Sequence, residues 1–409
     1  MRRLDTALTA LLRDHPAVLL TGPRATGKTT TALNHVRSVI RLDRADEAVA
    51  IRADPDAALA AFDEPILIDE WQVVPEVLGA IKRAVDLRPT PGRFVVTGSV
   101  RGDLDSPTWP GTGRLIRTPV FGLTHAEQVG RLGQPLFVER LLEPAALQAP
   151  TDPLDLVGYI DVALRGGFPE PALSMGAAAG ARWMGSYAEQ LVTRDALDTG
   201  AGRDPVRLRR YLEALALNSA GIVDHLTLYE AARISKATAS AYDSLLQNLL
   251  IAEELPSWTS NRLKRLVLSP KRYLVDSSLV SGVLGMDRMS FLRDGDMLGR
   301  LIDTFVVAQL RAELPFLNRM TRMFHLRTEK GQHEIDLVIE VAGSSIIGIE
   351  IKATSAPKLD DARHLIWMRD SLGERFALGV VLHTGPRMFS LSDRVIALPI
   401  ASIWDDGSS

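Results

Sequence analysis

Between the apolar run 17–20 and a helically patterned stretch that opens with Thr29, Thr30 and Thr31 lies the segment Gly22-Pro23-Arg24-Ala25-Thr26-Gly27-Lys28-Thr29. No other feature restricts the fold of this chain as strongly. A glycine-bounded loop that leaves a buried strand and enters a helix curls successive backbone N–H groups around a concave space, which suits phosphate. The N-terminus of the following helix adds a favourable positive end. In that arrangement Lys28 reaches the β- and γ-phosphates, and the Thr29 hydroxyl takes a Mg²⁺ position. Gly22 through Thr30 are therefore candidate ATP contacts, carried on an α/β fold with a parallel sheet.

A second segment, Pro65-Ile66-Leu67-Ile68-Asp69-Glu70, reads as a buried strand that ends in two acids. Strands of a parallel sheet are apolar throughout because both faces are covered, and ligands gather beyond their carboxyl ends. Asp69 is accordingly assigned to the Mg²⁺ side of the nucleotide, and Glu70 to the base that orients or activates the attacking water. A third strand, Arg93-Phe94-Val95-Val96, enters Thr97-Gly98-Ser99, where the hydroxyls of Thr97 and Ser99 are candidates for sensing the γ-phosphate. Strands alternate with helical patterns across residues 1–130, as expected of a nucleotide-binding core with helices on both faces of its sheet.

At 409 residues the chain is too long for one hydrophobic core. Its formal net charge of −3 excludes a protein that is basic throughout, so contact with nucleic acid has to come from local patches. Cysteine is absent, which excludes disulfides, thiolate metal sites and cysteine nucleophiles. No apolar stretch approaches the roughly 18 residues that read as a membrane span. The opening Met1-Arg2-Arg3-Leu4-Asp5-Thr6 precedes no long apolar core of the kind a secretion signal needs. The expectation is a cytoplasmic protein with no membrane contact.

Residues 131–202 hold Pro135, Pro144, Pro150 and Pro153, then helical stretches on either side of Gly166-Gly167-Phe168-Pro169. They are expected to form a helical lid or connector. Residues 203–290 pattern differently, with helices at 206–217, 226–232 and 237–250 and strands at 251–255 and 265–268, the order of a winged helix. The third helix begins Ser235-Lys236-Ala237-Thr238, small and polar where a recognition helix meets a groove. The wing carries Arg262, Lys264, Arg265, Lys271 and Arg272, a cluster able to neutralise several DNA phosphates. Winged helices also bind proteins, and the helix-turn-helix has no aromatic, Asn or Gln base reader. A protein partner is the alternative.

In residues 291–409 a helix at 298–314 precedes strands at 322–327, 335–340 and 346–352, a helix at 360–371 and a fourth strand at 377–382. This α-β-β-β-α-β order is the core of the PD-(D/E)xK nuclease fold. Alternation sets Ile335, Leu337 and Ile339 opposite Asp336, and Ile347, Ile349 and Ile351 opposite Glu350 and Lys352. Asp336, Glu350 and Lys352 then converge on one side of adjacent strands. Two such carboxylates can hold Mg²⁺ or Mn²⁺ ions that polarise a scissile phosphate and acidify a water, while the lysine stabilises charge or positions the nucleophile. His333, in the turn Gly331-Gln332-His333, reads as solvated.

The phosphate loop, Leu67-Ile68-Asp69-Glu70, Thr97-Gly98-Ser99, Gly113-Arg114, Gly166-Gly167-Phe168-Pro169-Glu170 and the C-terminal acids and lysine together resemble the AAA-type ATPases. More narrowly, they resemble a prokaryotic ATPase family with a C-terminal restriction-endonuclease-like domain, and the resemblance covers nearly the whole chain. It implies ATP hydrolysis in a homo-oligomer, with an arginine from a neighbouring subunit stabilising charge on the transferring phosphoryl group. Arg101, Arg114 and Arg194 lie in suitable regions, and the matched Gly-Arg pair favours Arg114. The family usually has a glutamate on the first C-terminal helix where this chain has Asp303, a shorter acid that can still help bind metal. The resulting expectation is an ATPase governing a DNA-associated, nuclease-like half. Its alternative is an ATP-dependent switch or scaffold with an inactive nuclease fold.

Overall fold

The computed structural model describes residues 2–99, 112–195, 204–222, 225–261, 265, 268–328 and 331–407. The chain divides into two compact units, one of Met1–Gly122 with Leu246–Ile251, the other of Leu123–Leu245 with Ala252–Ser409.

In the first unit the apolar runs become strands β1 (Ala17–Thr21), β2 (Ser38–Arg41), β3 (Ile66–Asp69), β4 (Phe94–Gly98) and β5 (Leu115–Pro119). All pair in parallel, in the order β2-β3-β4-β1-β5. Every residue of β1, β3 and β4 is buried, which is why these strands read as unbroken apolar runs. Helix Val77–Leu87 buries Val77, Leu78, Ala80, Ile81 and Val85, one stripe at helical spacing, and its side chains join Leu19, Ile66, Ile68, Phe94 and Val96 in a continuous core. Each of the larger side chains, fully buried, stabilises the fold by about 1.5–3 kcal/mol. The register sets Ile68 level with Val96, and Thr21 level with Gly98. The loop after β1 and the acid that ends β3 therefore lie one strand apart, with Thr97 of β4 between them.

In the second unit helices Leu156–Arg165, Ala177–Gln190, Pro205–Leu217, His225–Ala231 and Lys236–Asn248 lead towards an antiparallel hairpin of β6 (Ala252–Leu255) and β7 (Lys271–Leu274). The described partner of β6 is Lys271–Leu274, and residues 266 and 267 of the strand expected at 265–268 lie outside the described residues. Helix Gly295–Glu313 precedes β8 (Thr321–Arg327), β9 (Glu334–Val341) and β10 (Ser345–Lys352), then helix Arg363–Leu372 and β11 (Phe376–His383). This is the α-β-β-β-α-β order expected from the sequence. Two further strands, β12 (Phe389–Ser392) and β13 (Val395–Pro399), extend the sheet to six in the order β12-β13-β11-β10-β9-β8. The sheet is mixed, since β10–β11 and β11–β13 pair in parallel and the other neighbours antiparallel. Leu365 and Met368 of helix Arg363–Leu372 pack on Val338, Ile346 and Val381. Gly348 permits that approach, because a Cβ there would lie 2.7 Å from Leu365.

Candidate nucleotide site and a C-terminal carboxylate cluster

The loop after β1 turns through Ala25 and Gly27, whose φ angles of 62° and 83° lie in the left-handed region. Such turns aim backbone N–H groups into one concavity, an anion-binding nest. The buried Thr26 hydroxyl donates to Pro23 O at 2.9 Å and holds the loop closed. Gly22 is required by packing as well as by curvature, since a Cβ would lie 2.0 Å from Val120 O. Lys28 is buried, and its Nζ donates to Gly22 O at 2.9 Å and Pro23 O at 2.7 Å. Burial pushes the Lys28 ammonium down to about 8, against the opposing pull of Glu70 and Asp69 and with added repulsion from Arg24. Arg24 and Thr30 are exposed at the rim of the loop.

Three oxygens meet at the end of β3. The Thr29 hydroxyl donates to Asp69 Oδ1 at 2.7 Å, and the Thr97 hydroxyl donates to the same oxygen. Hard oxygen ligands in this juxtaposition suit Mg²⁺, which Thr29 and Asp69 could hold. Glu70 follows at φ 58°, a left-handed conformation that costs a non-glycine residue of order 1–3 kcal/mol. Its carboxylate accepts from Gln72 Nε2, and Ser99 Oγ lies at 3.5 Å. Gln72 and Trp71 also explain Gly98, because a Cβ there would sit 2.3 Å from Trp71 Nε1 and 2.8 Å from Gln72 Oε1. Gln72 was not foreseen from sequence, where nothing distinguishes it from a surface amide. The left-handed turn at Glu70 brings it back onto the carboxylate.

The structure separates Arg114 from this site. Arg114 Nε binds Asp86 Oδ1 at 2.8 Å immediately before Leu115, and Leu115 is level with Ala17 at the amino end of β1. Five residues of strand, about 17 Å, stand between it and the phosphate loop, so it does not contact nucleotide bound to its own chain. Arg101 and the side chain of Arg194 lie outside the described residues.

On the C-terminal sheet Ile349 pairs with Leu337, and the same register carried one step further sets Glu350 against Asp336. Lys352 Nζ donates to Glu350 Oε2 at 2.9 Å. A cavity of about 220 Å³ opens here, lined by Asp336, Glu350, Lys352, Asp360, Asp361 and His364 among others. The three residues expected to converge do so. Asp303 arrives from helix Gly295–Glu313, but with an unforeseen companion: Lys271 of β7 reaches in between and donates to Asp303 Oδ2 at 2.6 Å and to Asp336 Oδ1 at 3.1 Å. Burial disfavours the Lys271 charge, yet Asp303, Tyr273 and Asp336 hold its ammonium well above the usual range. Burial likewise opposes the Asp336 charge, and Lys271, Lys352 and the Ile351 N–H more than offset it, so its carboxyl lies below the usual range. Glu350 goes the other way: burial, with Asp336 alongside, pushes it well up against the pull of Lys352.

These residues do not fit the divalent metal expected of them. Asp303 Oδ1 accepts from Tyr273 OH at 3.0 Å and Asp336 Oδ2 from the Ile351 N–H at 3.0 Å, so every oxygen of both aspartates already faces a protein donor. Glu350 offers one oxygen, Oε1, that is buried with no donor facing it among the described residues. Among the described residues no three His, Asp or Glu side chains are grouped to hold a metal ion. The assignment of Asp303, Asp336 and Glu350 as a metal set is corrected on this geometry.

The expected basic wing is also reassigned. Besides Lys271, Arg272 turns inward to Glu254 at 3.1 Å and Asp243 at 3.6 Å, and Arg265 pairs with Glu340 at 2.8 Å beside the Trp258 and Phe324 rings. All three are buried or nearly so, because each meets an acid within its own unit. Arg262 and Lys264 lie outside the described residues. Ser235 accepts the Thr238 N–H at 3.2 Å, which accounts for the polar start of helix Lys236–Asn248 as a cap. The Gly-Gly-Phe-Pro segment is structural too: buried Asp276 accepts the Gly167 N–H at 2.8 Å, and a Cβ on Gly166 would meet Asp276 Oδ1 at 2.2 Å. His333 is half-buried rather than solvated, stacked on Trp367 at 4.0 Å with its Nδ1 3.2 Å from that of His364.

A five-stranded parallel sheet with a lysine-bearing phosphate loop and a hydroxyl-lined acid one strand away defines a P-loop nucleotide-binding domain of the AAA type. Residues 14–129 match the family described as an AAA domain. Residues 157–290 and 298–403 match two families described as domains of unknown function, DUF8612 and DUF4143. Over 414 residues the chain is 30% identical to the uncharacterized protein Rv2008c of Mycobacterium tuberculosis and to its counterpart Mb2031c of Mycobacterium bovis, covering 100% of this chain and 86% of each relative. The chain belongs to the family of these mycobacterial proteins. Among solved structures it is similar to the Walker-type ATPase of Pyrococcus abyssi, with 16% identity and a TM-score of 0.43 over 70% of this chain and 97% of that one. It is also similar to the Orc1 protein of Aeropyrum pernix in complex with DNA, with 17% identity and a TM-score of 0.28 over 70% of this chain and 91% of that one. Among the described residues no helix is long and apolar enough to cross a membrane.

Proposed function

We propose that this chain is a cytoplasmic, homo-oligomeric ATPase that binds ATP with Mg²⁺ in the loop Gly22 to Thr30 and hydrolyses it. The observation that carries this reading is the meeting of the Thr29 and Thr97 hydroxyls on Asp69, with Glu70 held alongside by Gln72. Lys28 exchanges the Gly22 and Pro23 carbonyls for the β- and γ-phosphates, whose negative charge favours the ammonium form. Bound Mg²⁺ neutralises part of the phosphate charge. Glu70 takes the proton of the attacking water, while Thr97 and Ser99 report the γ-phosphate through hydroxyls that also touch the two acids.

The remaining modules are read as a helical lid at 131–202, a winged helix at 203–290 and a nuclease-like domain at 291–409. The inward turn of Arg265, Lys271 and Arg272 favours the switch over the DNA-cleaving reading, with a protein as the partner engaged by the C-terminal half. Phosphate release and nucleotide binding test the ATPase assignment. Glu70→Gln should keep ATP affinity and lose about 10²–10⁴-fold in turnover, and Lys28→Ala should lose binding itself. Equal turnover in wild type and Glu70→Gln would overturn the role of Glu70.

A further inference from the structure

We infer that Lys271 is a tethered cation that stands between Asp303 and Asp336 in the place a divalent ion would take, so that the chain as it exists binds no metal there. The inference stands on geometry in the second unit and does not depend on ATP hydrolysis. One ammonium lies within 3.1 Å of both aspartates, from a strand, β7, outside the sheet that carries Asp336. Lys271 is 3% exposed and its Nζ also lies 5.5 Å from the centre of the Tyr273 ring, so the charge is held among protein groups. Tyr273, two residues along the same strand, donates to the other Asp303 oxygen. The hairpin thus supplies both side-chain donors to Asp303, one charged and one neutral. A buried anion pair needs a counter-charge, and a lysine held by its own backbone provides it without an exchangeable ion.

The vacated space has the makings of a metal site. Removing the ammonium would leave one oxygen each of Asp303 and Asp336 facing each other, with Glu350 Oε1 buried nearby and also lacking a donor among the described residues. Carboxylate oxygens of this kind suit Mg²⁺ or Mn²⁺.

The test titrates Mn²⁺, without nucleotide, into full-length chains that all carry Asp69→Asn, so that the nucleotide site holds no ion. With Lys271 intact the expected result is no saturable Mn²⁺ site. Lys271→Met should gain one site per chain, and adding Asp336→Asn should abolish it. Saturable binding with Lys271 in place that Asp336→Asn removes would overturn the inference, as would a folded Lys271→Met protein that gains no site. If Lys271→Met does not fold, Lys271→Met with Asp303→Asn is titrated beside it: recovery of folding supports mutual neutralisation, and failure to recover, with Asp303→Asn alone folded and stable, overturns it.

Discussion

Asp69 and Asp303 are buried carboxylates in the same chain and Asp336 a half-buried one, yet Asp69 and the Asp303–Asp336 pair meet opposite counterparts. Asp69 accepts from two hydroxyls, neutral donors that a metal ion can replace or recruit as ligands. The C-terminal aspartates share one ammonium, a fixed positive charge held between them. Acids at strand ends are therefore not equivalent evidence for metal chemistry. What decides is whether the partner is an exchangeable hydroxyl or a fixed charge, and that partner can come from a distant strand.

The largest effect expected outside the nucleotide site follows from this contrast. Removing one member of a buried ion pair leaves an uncompensated charge, so Lys271→Met should cost about 3–5 kcal/mol of stability. Lys271→Met combined with Asp303→Asn should cost clearly less than the sum of the two single changes, measured by denaturant unfolding as a double-mutant cycle. Additive losses would mean that the two side chains are not neutralising each other.

A smaller effect should appear with pH. His325 of β8 is buried beside Lys271, and burial, reinforced by the Lys271 and Arg327 charges, holds its imidazole down at about 4 despite the acceptor Ser269 O at 3.1 Å and nearby Asp336. Because the folded-state value lies below the usual 6.5, the native state prefers neutral histidine. The associated stability is present above pH 6.5 and is lost as pH falls towards 4, by about 3 kcal/mol in total. His325→Gln should flatten stability over this window. An unchanged slope would show that a second cation is tolerated beside Lys271, against the picture of a site already filled by one.

Much of this arrangement was legible in the sequence because it is local. The phosphate loop, the two acids ending β3 and the hydroxyls after β4 are contiguous segments whose chemistry follows from spacing. Alternating isoleucines placed Asp336, Glu350 and Lys352 on one side of neighbouring strands before any contact was known. The misses are long-range or charge-dependent. Lys271 and Asp336 are 65 residues apart, and a run of five lysines and arginines around a hairpin gives no sign of which will find a buried acid. β6 pairs with Lys271–Leu274, a segment with two basic residues that strand propensity does not single out. Strands β12 and β13 were not foreseen although 395–398 is an apolar run, since strands of four and five residues have little periodicity to show.

The contrast between the two acid sites is tested most directly by counting Mn²⁺ bound per chain in Glu70→Gln protein by electron paramagnetic resonance, with and without ATP. Slow turnover in this variant preserves the nucleotide complex during the measurement. The expected result is one ion per chain with ATP, lost on Asp69→Asn, and none without nucleotide. An ion bound without ATP and removed by Asp336→Asn, or no ion bound in the presence of ATP, would contradict the account.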